Sequence, residues 1–496
     1  MARVNGGGMA SFHREGRGLN EAPSCGVLVV PMFPFPTMQR VILMVLLSAA
    51  SVAAQVVPER IFFDVPSNIA VNPNPAPSAQ LAAIPGYPAD ANRLTLIALL
   101  YRPNALTHGP GPYPTVIVLH GSGGMWPSDT IAANAKTPLE RWGQRLADRG
   151  FLVLMPDSFN PRGIPGGFSN RRPHHDSAID DAVCSPNYER PKDVVAALTY
   201  LNDRTDVDRE HIGLLAFSHG SQTGLNAVLD ASVDLGNYTV DYVNDQNQTV
   251  DLAVPSPVRV PAELPFPRVG IFYYPGCGHF GYHGSPSSKL AGRYMPDRRM
   301  QVVMFHGTND SLMGVNDPNA SPKTGNLYPI KLTVASGAQA ATLGLPNPFV
   351  QHHLFHLVNH SFDETTIETQ ANWNTGLESA DEKANRLAHD ETLKWLEFRL
   401  RRHTLRPEPD PNVPGGLQVR WDGRSQLRYK HQTSTNLTTW AQQGGDIIGQ
   451  GTVVTLPVVL PVEQRSFHQL IIDPVPAPVN EPDYSSFFLE YADFTY

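Results

Sequence analysis

Cysteine and charge are both scarce in this chain. Three cysteines among 496 residues cannot staple a fold together, which excludes a disulfide-built scaffold. Charged residues make up 17%, below the roughly 25% of ordinary soluble domains, and the balance is acidic at −8. Nucleic-acid binders carry a basic excess, so no nucleic-acid partner is expected. Forty glycines and 46 prolines fall short of the roughly 25–30% that marks low-complexity chains. The apolar stretch 41–54 has 14 residues, too few for the ~20 of a spanning helix. What is there is ordinary: 41% hydrophobic residues suffice for a real core. A length of 496 suggests two or three domains at about 150 residues each.

Residues 38–54 read as a secretory signal peptide. Met38-Gln-Arg is a positive start, Val41–Leu47 an apolar core, and Ser48–Ala54 a small-residue exit with Val52 and Ala54 at −3 and −1. No such charged region begins 39 residues in, so translation is expected to start at Met38. The expected location is secreted or periplasmic, with no transmembrane span in the mature chain. Export removes Cys25 and leaves Cys184 and Cys277 where oxidation is permitted. At this point a pair and two separate buried thiols are both open.

From about 60 to 404, apolar runs alternate with amphipathic ones. Strands are expected at 94–101, 115–119, 151–155, 212–217, 269–274, 301–305 and 353–358. Several are apolar without alternation, as strands buried on both faces are. Helices are expected at 137–149, 191–203, 219–230 and about 379–402. In the second of these Val194, Ala197, Leu198 and Leu201 recur at i, i+3, i+4 and i+7. Such alternation argues for an α/β fold with a mostly parallel sheet, 55–404 forming the catalytic domain. Segments 231–267 and 312–350 exceed ordinary connections and read as lids or surface decoration. A Pro-rich linker at 405–415 leads to a small all-β unit at 416–475 and an aromatic tail at 476–496.

The sharpest local feature is Leu214-Leu-Ala-Phe-Ser218-His-Gly220, between an expected strand and an expected helix. A nucleophile elbow needs small residues two before and two after its serine, because the backbone turns tightly there. Gly220 fits, and Ala216 stands where glycine is usual. The competing reading is a serine that merely caps the helix. Three other strand ends support the elbow. The strand 115–119 runs into His120-Gly-Ser-Gly-Gly124, whose backbone amides suit an oxyanion; Ser122 and His219 are the expected donors. The strand 301–305 runs into His306-Gly-Thr-Asn-Asp310, and 353–358 into Asn359-His360. Ser…Asp…His is the order α/β-hydrolases use. Asp157 also follows a strand, but it precedes the serine and reads as ordering its own loop. His352, His353 and His356 lack ligand spacing for a metal, and His174-His175-Asp176 reads as a loop. No metal and no cofactor is expected. Trp126 and Tyr274 are candidate substrate contacts.

These motifs resemble the dienelactone hydrolase-like branch of the α/β-hydrolases over roughly 110–400. The resemblance rests on the 118–124 loop, Phe151–Gly163 with its DSFxPRG pattern, Arg190–Leu198, Val207–Gly213, Tyr274-Pro-Gly-Cys277 and the contexts of Asp310 and His360. It implies an α/β-hydrolase fold and hydrolysis of a small-molecule or polymeric ester. Cysteines near Cys184 and Cys277 recur in that branch, which implies a pair. Founding members use a cysteine nucleophile; Ser218 departs from them and points to a general carboxylic-ester hydrolase. The segments Arg428–Trp440 and Arg465–Leu470 are similar to a fibronectin III-like β-sandwich, implying a spacer or attachment to a surface or polysaccharide. A serine peptidase of prolyl oligopeptidase type and a non-catalytic extracellular binding protein are the other readings.

Overall fold

The computed structural model describes residues 56–69, 76–166 apart from 89 and 91, 184–186, 189–228, 258–275, 300–310, 350–365 and 378–401, with further strands at 238–254 and 406–474. Eight strands form one sheet. They are β1 (Glu59–Asp64), β2 (Thr95–Tyr101), β3 (Tyr113–Leu119), β4 (Leu152–Asp157), β5 (Val207–Phe217), β8 (Val269–Tyr273), β9 (Gln301–Gly307) and β10 (Val350–Phe355). Their order is β1-β2-β4-β3-β5-β8-β9-β10. Strand β2 runs antiparallel to β1 and β4, while every pair from β4 to β10 is parallel. This is the α/β-hydrolase arrangement. The hairpin β6 (Tyr238–Val243) and β7 (Thr249–Val254) stands apart from the sheet, inside the long segment 231–267.

The central strands are apolar where they cross the sheet, as in residues 212–217 of β5, because both faces are covered. Ile117, Leu119, Leu214 and Ala216 join one core cluster. Val116, Val118, Leu215 and Phe217 join the other. Helices α1 (Thr137–Asp148), α2 (Pro191–Asn202), α3 (His219–Ala227) and α4 (Ala380–Leu400) divide between the two faces. Val194, Leu198 and Leu225 of α2 and α3 close the first cluster. Trp142, Leu146, Trp395 and Leu396 of α1 and α4 close the second. Each such side chain contributes about 1.5–3 kcal/mol on full burial, so a one-residue slip of β5 would exchange its inward sets. Helix starts follow local chemistry: a proline opens the first turn of α1 and of α2. Ser379 and Glu382 form a reciprocal capping box on α4.

Several elements differ from the sequence reading, among them β5, which begins five residues earlier than expected, and the hairpin of β6 and β7. Strand β10 sits three residues earlier than expected, because the chain turns at Leu357, which has φ 57° and is 56% exposed. Strand β1 is an additional edge strand. Among the described residues no helix is long and apolar enough to cross a membrane. In the C-terminal region β11 (Arg406–Pro409), β12 (Leu417–Gly423) and β16 (Thr452–Val458) form one sheet. Strand β13 (Leu427–Ser434) pairs with β14 (Ala441–Gln442), β15 (Ile447–Ile448) and β17 (Phe467–Pro474) in a second. The Pro-rich stretch therefore carries an edge strand, where missing N–H donors are tolerated. The signal segment and the aromatic tail lie outside the described residues.

Candidate active site

Strand β5 ends at Phe217, α3 begins at His219, and Ser218 between them has φ 50° and ψ −118°. That conformation is strained for a residue with a Cβ, and it persists only where its surroundings enforce it. They do so here. The Ser218 N–H donates to Tyr273 O at 2.9 Å, and Gln222 N–H donates to Ser218 O at 3.1 Å. A Cβ on Gly220 would lie 2.5 Å from both Leu119 O and His120 O, so only glycine lets α3 approach β3 this closely. The Ser218 side chain makes no capping hydrogen bond. The turn is therefore an elbow and not an N-cap.

The hydroxyl of Ser218 faces His360. Nε2 of His360 lies 3.0 Å from Ser218 Oγ, and its Nδ1 lies 2.7 Å from Asp310 Oδ2. A carboxylate only accepts, so Nδ1–H donates to Asp310 and Nε2 is left to accept from the serine. Asp310 is fully buried. Its loop is tied to the His360 loop by three bonds: Thr308 N–H to Phe355 O (2.9 Å), Asn309 N–H to Val358 O (2.8 Å) and Leu357 N–H to Thr308 Oγ1 (2.8 Å). The three residues expected to act together, 92 and 50 positions apart along the chain, are brought together here.

The glycine-rich loop crosses in front of Ser218. An added Cβ on Gly121 would lie 3.4 Å from Ser218 Cβ, and Gly124 N–H closes the turn on Gly121 O at 3.2 Å. Among the described residues, Gly121, Ser122, Gly123, Lys136, Ser218, Tyr274, His360 and Asp363 are among those lining a cavity of about 220 Å³. Tyr274, a candidate substrate contact, lines this cavity. Its ring centroid lies 4.3 Å from that of His360, and its hydroxyl donates to Asp363. Burial pushes the Asp363 carboxyl up to about 6, against the pull of the Tyr274 hydroxyl.

Trp126 is not at the site. It is buried, and its indole N–H donates to Asp157 Oδ2 at 2.7 Å, because a buried indole must find an acceptor. Asp157 also accepts from Phe159 N–H at 2.8 Å and Asn160 Nδ2 at 2.7 Å, which orders the loop after β4. Cys184 stands as a buried free thiol, its Sγ 3.7 Å from Ser158 O. This runs against the expected pair; Cys277 lies outside the described residues, as do His174, His175 and Asp176. His352 is buried and bonds His306 at 3.0 Å, while His356 is exposed.

Sequence reading missed Arg190, Lys136 and Asp363. Arg190 is fully buried; it donates to His219 Nδ1 and, at 2.9 Å, to His120 O. Arg162 forms a buried bidentate pair with Asp193, at 2.9 and 2.6 Å. The signal available was Arg190-Pro-Lys-Asp193 at a helix start, where unpaired surface charge would be the ordinary reading.

The chain matches no protein-family model and no curated protein. Similar solved structures include a thermophilic esterase from the Planctomycetes species Thermogutta terrifontis, at 14% identity and TM-score 0.33, covering 61% of this chain and 89% of that one. A dienelactone hydrolase-like promiscuous phosphotriesterase from metagenomic libraries has 13% identity and TM-score 0.35, covering 70% and 100%. An acylaminoacyl peptidase has 14% identity and TM-score 0.37, covering 71% and 43%.

Proposed function

We propose that this chain is an exported serine hydrolase that cleaves carboxylic esters through Ser218, His360 and Asp310. One observation carries the reading: a single imidazole spans a strained, half-buried serine at 3.0 Å and a buried carboxylate at 2.7 Å. His360 Nε2 takes the Ser218 proton as Oγ attacks the ester carbonyl, and Asp310 holds the ring in the tautomer that can accept it. The carbonyl electrons move to oxygen, which the backbone N–H groups of His219 and Ser122 receive. Collapse expels the alcohol with the proton from His360. Water, deprotonated by the same ring, then releases the acid and restores Ser218.

The cavity of about 220 Å³ lies below the roughly 300–1,000 Å³ of sites for drug-sized ligands, which supports short acyl groups. Tyr274 forms a wall against the acyl chain. The C-terminal β-region serves as a spacer or surface attachment in this reading. The test is a panel of p-nitrophenyl esters from acetate to palmitate, with Ser218→Ala beside the wild type and a peptide anilide panel in parallel. Acetate and butyrate should turn over fastest, and Ser218→Ala should lose at least about 10⁴-fold. Equal rates in the two proteins would remove the nucleophile, and peptide activity without ester activity would make the enzyme a peptidase.

A further inference from the structure

Behind the elbow lies a buried guanidinium that the proposed chemistry does not use. Arg190 is the residue immediately before the first turn of α2 and is fully buried. Its Nη2 donates to His120 O at 2.9 Å, the carbonyl just ahead of Gly121 and Ser122. Its Nη1 donates to His219 Nδ1; a guanidinium has only donors, so that ring nitrogen accepts. Its charged plane lies 5.1 Å from the Phe159 ring. The Phe159 ring in turn meets His120 edge-on at 4.5 Å and His219 at 6.0 Å. One side chain therefore touches both segments that supply the expected oxyanion donors: the loop bearing Ser122 and the residue after the nucleophile.

The two carboxylates nearest in sequence, Glu189 and Asp193, are engaged by other cations. Asp193 gives both oxygens to Arg162, and Lys192 pairs with Glu189. Arg190 donates instead to a carbonyl and an imidazole, both on the wall of the oxyanion site. Burial of a charge without a paired carboxylate is costly. A side chain serving only the core would be replaced by an apolar one at lower cost. A planar fork that fixes two segments against each other is what arginine does better than lysine.

We infer that Arg190 is a positioning residue of the oxyanion site, holding the Gly121–Ser122 loop and the His219 end of α3 at a fixed separation. This rests on the serine hydrolase reading only for the name of what is being positioned. Losing one oxyanion donor outright costs roughly 10²–10³-fold. Loosening both should cost about 10²-fold in kcat with KM nearly unchanged, because the loss falls on the transition state.

The experiment compares wild type, Arg190→Met, Arg190→Lys and His219→Leu on p-nitrophenyl butyrate, with competent sites counted by fluorophosphonate titration. A trifluoromethyl ketone, whose hydrate-like adduct places an oxyanion in the site, is bound in parallel. Expected are a kcat per titrated site about 10²-fold lower in Arg190→Met, about tenfold lower in His219→Leu, partial recovery in Arg190→Lys, and ketone affinity falling in step with kcat. An unchanged kcat per titrated site, or a loss carried by KM, overturns the inference. If Arg190→Met does not fold, Arg190→Lys and His219→Leu decide it by the same criterion. If the wild type proves inactive or Ser218→Ala is as active, the hydrolase reading fails, and hydrogen exchange then decides on Arg190. Arg190→Lys should speed exchange in 119–124 and 218–222 and leave 301–307 alone; no change there sinks it.

Discussion

The two halves of the site are held by different physics. On the serine side, Gly220 allows close backbone approach and Arg190 bonds His219 and His120 O; burial pushes Arg190 down only to about 10, so it stays charged. His120, in the same wall, is held well below its ordinary value by burial and by Arg190. On the histidine side, the Asp310 and His360 loops are joined by hydrogen bonds and backed by two buried groups with shifted values. His306 is pushed down to about 4 and Asp363 up to about 6, each mainly by burial. The serine half is therefore held mainly by close packing and fixed charge, and the histidine half also carries an acid whose folded value is raised to about 6.

The sharpest way to break this comparison is a single methyl group. In Gly220→Ala the new Cβ meets two backbone carbonyls at 2.5 Å, and neither can rotate away. Strain of this kind typically costs about 1–3 kcal/mol, but here it must be relieved by moving Ser218 or the glycine-rich loop. Activity on p-nitrophenyl butyrate should fall at least about 10³-fold, since both the proposed nucleophile and a proposed oxyanion donor shift. Gly307→Ala presses on Val358 O and should separate the Asp310 and His360 loops. It leaves the serine elbow intact, so a reactive fluorophosphonate should still label it faster than it labels Gly220→Ala. Equal labelling of the two variants would dissolve the distinction between the halves.

How much of this was legible in the sequence follows the same divide. That Ser218, Asp310 and His360 lie at neighbouring strand ends could be read because each follows an apolar run that must be a strand of the sheet, and the chain order is informative by itself. The β10 boundary could not. Leu357 and Val358 extend the apolar run, yet Val358 is buried while Leu357 turns outward, and hydrophobicity does not distinguish the two. Trp126 beside a glycine-rich loop read as a substrate contact; its acceptor, Asp157, is 31 residues away. Arg190 was illegible for a stronger reason. Its partners lie 29 and 70 residues off, so no local pattern shows that its charge is buried.

A medium effect tests the histidine half. Asp363 has a raised folded value, so the stability it contributes is full below about pH 4 and is lost as pH rises through about 6. His306 has a lowered one, so its contribution is full above about 6.5 and is lost as pH falls through about 4. The two slopes oppose each other across pH 4 to 6.5. Replacing Asp363 by Asn, which can still accept from Tyr274, removes one of them. Unfolding free energies of Asp363→Asn from urea titrations should gain on wild type from pH 4 to pH 8 by an amount on the order of 2–3 kcal/mol. The wild type should correspondingly be the less acid-sensitive protein. His306→Gln should tilt the opposite way. Parallel pH curves for all three would mean these groups do not govern the histidine half.

The smallest expected effect sharpens the other side. Cys184 packs with Phe159 and Ile164, next to the arginines that hold the elbow, and burial pushes its thiol up to about 12. Two nearby guanidinium groups pull it down, but desolvation is the larger cause. The thiolate is the reactive form, so this thiol should react with a chromogenic disulfide reagent at pH 8 only after denaturant is added. Because the thiol is free, a reductant should leave the thermal midpoint of the native protein unmoved, within about a degree. A bridge from Cys184 would instead contribute about 2–4 kcal/mol, and its reduction would lower the midpoint by several degrees. A null result is informative here. It would mean that the one titratable thiol beside the elbow is kept out of play, and that fixed charge and close packing suffice to hold the serine half together.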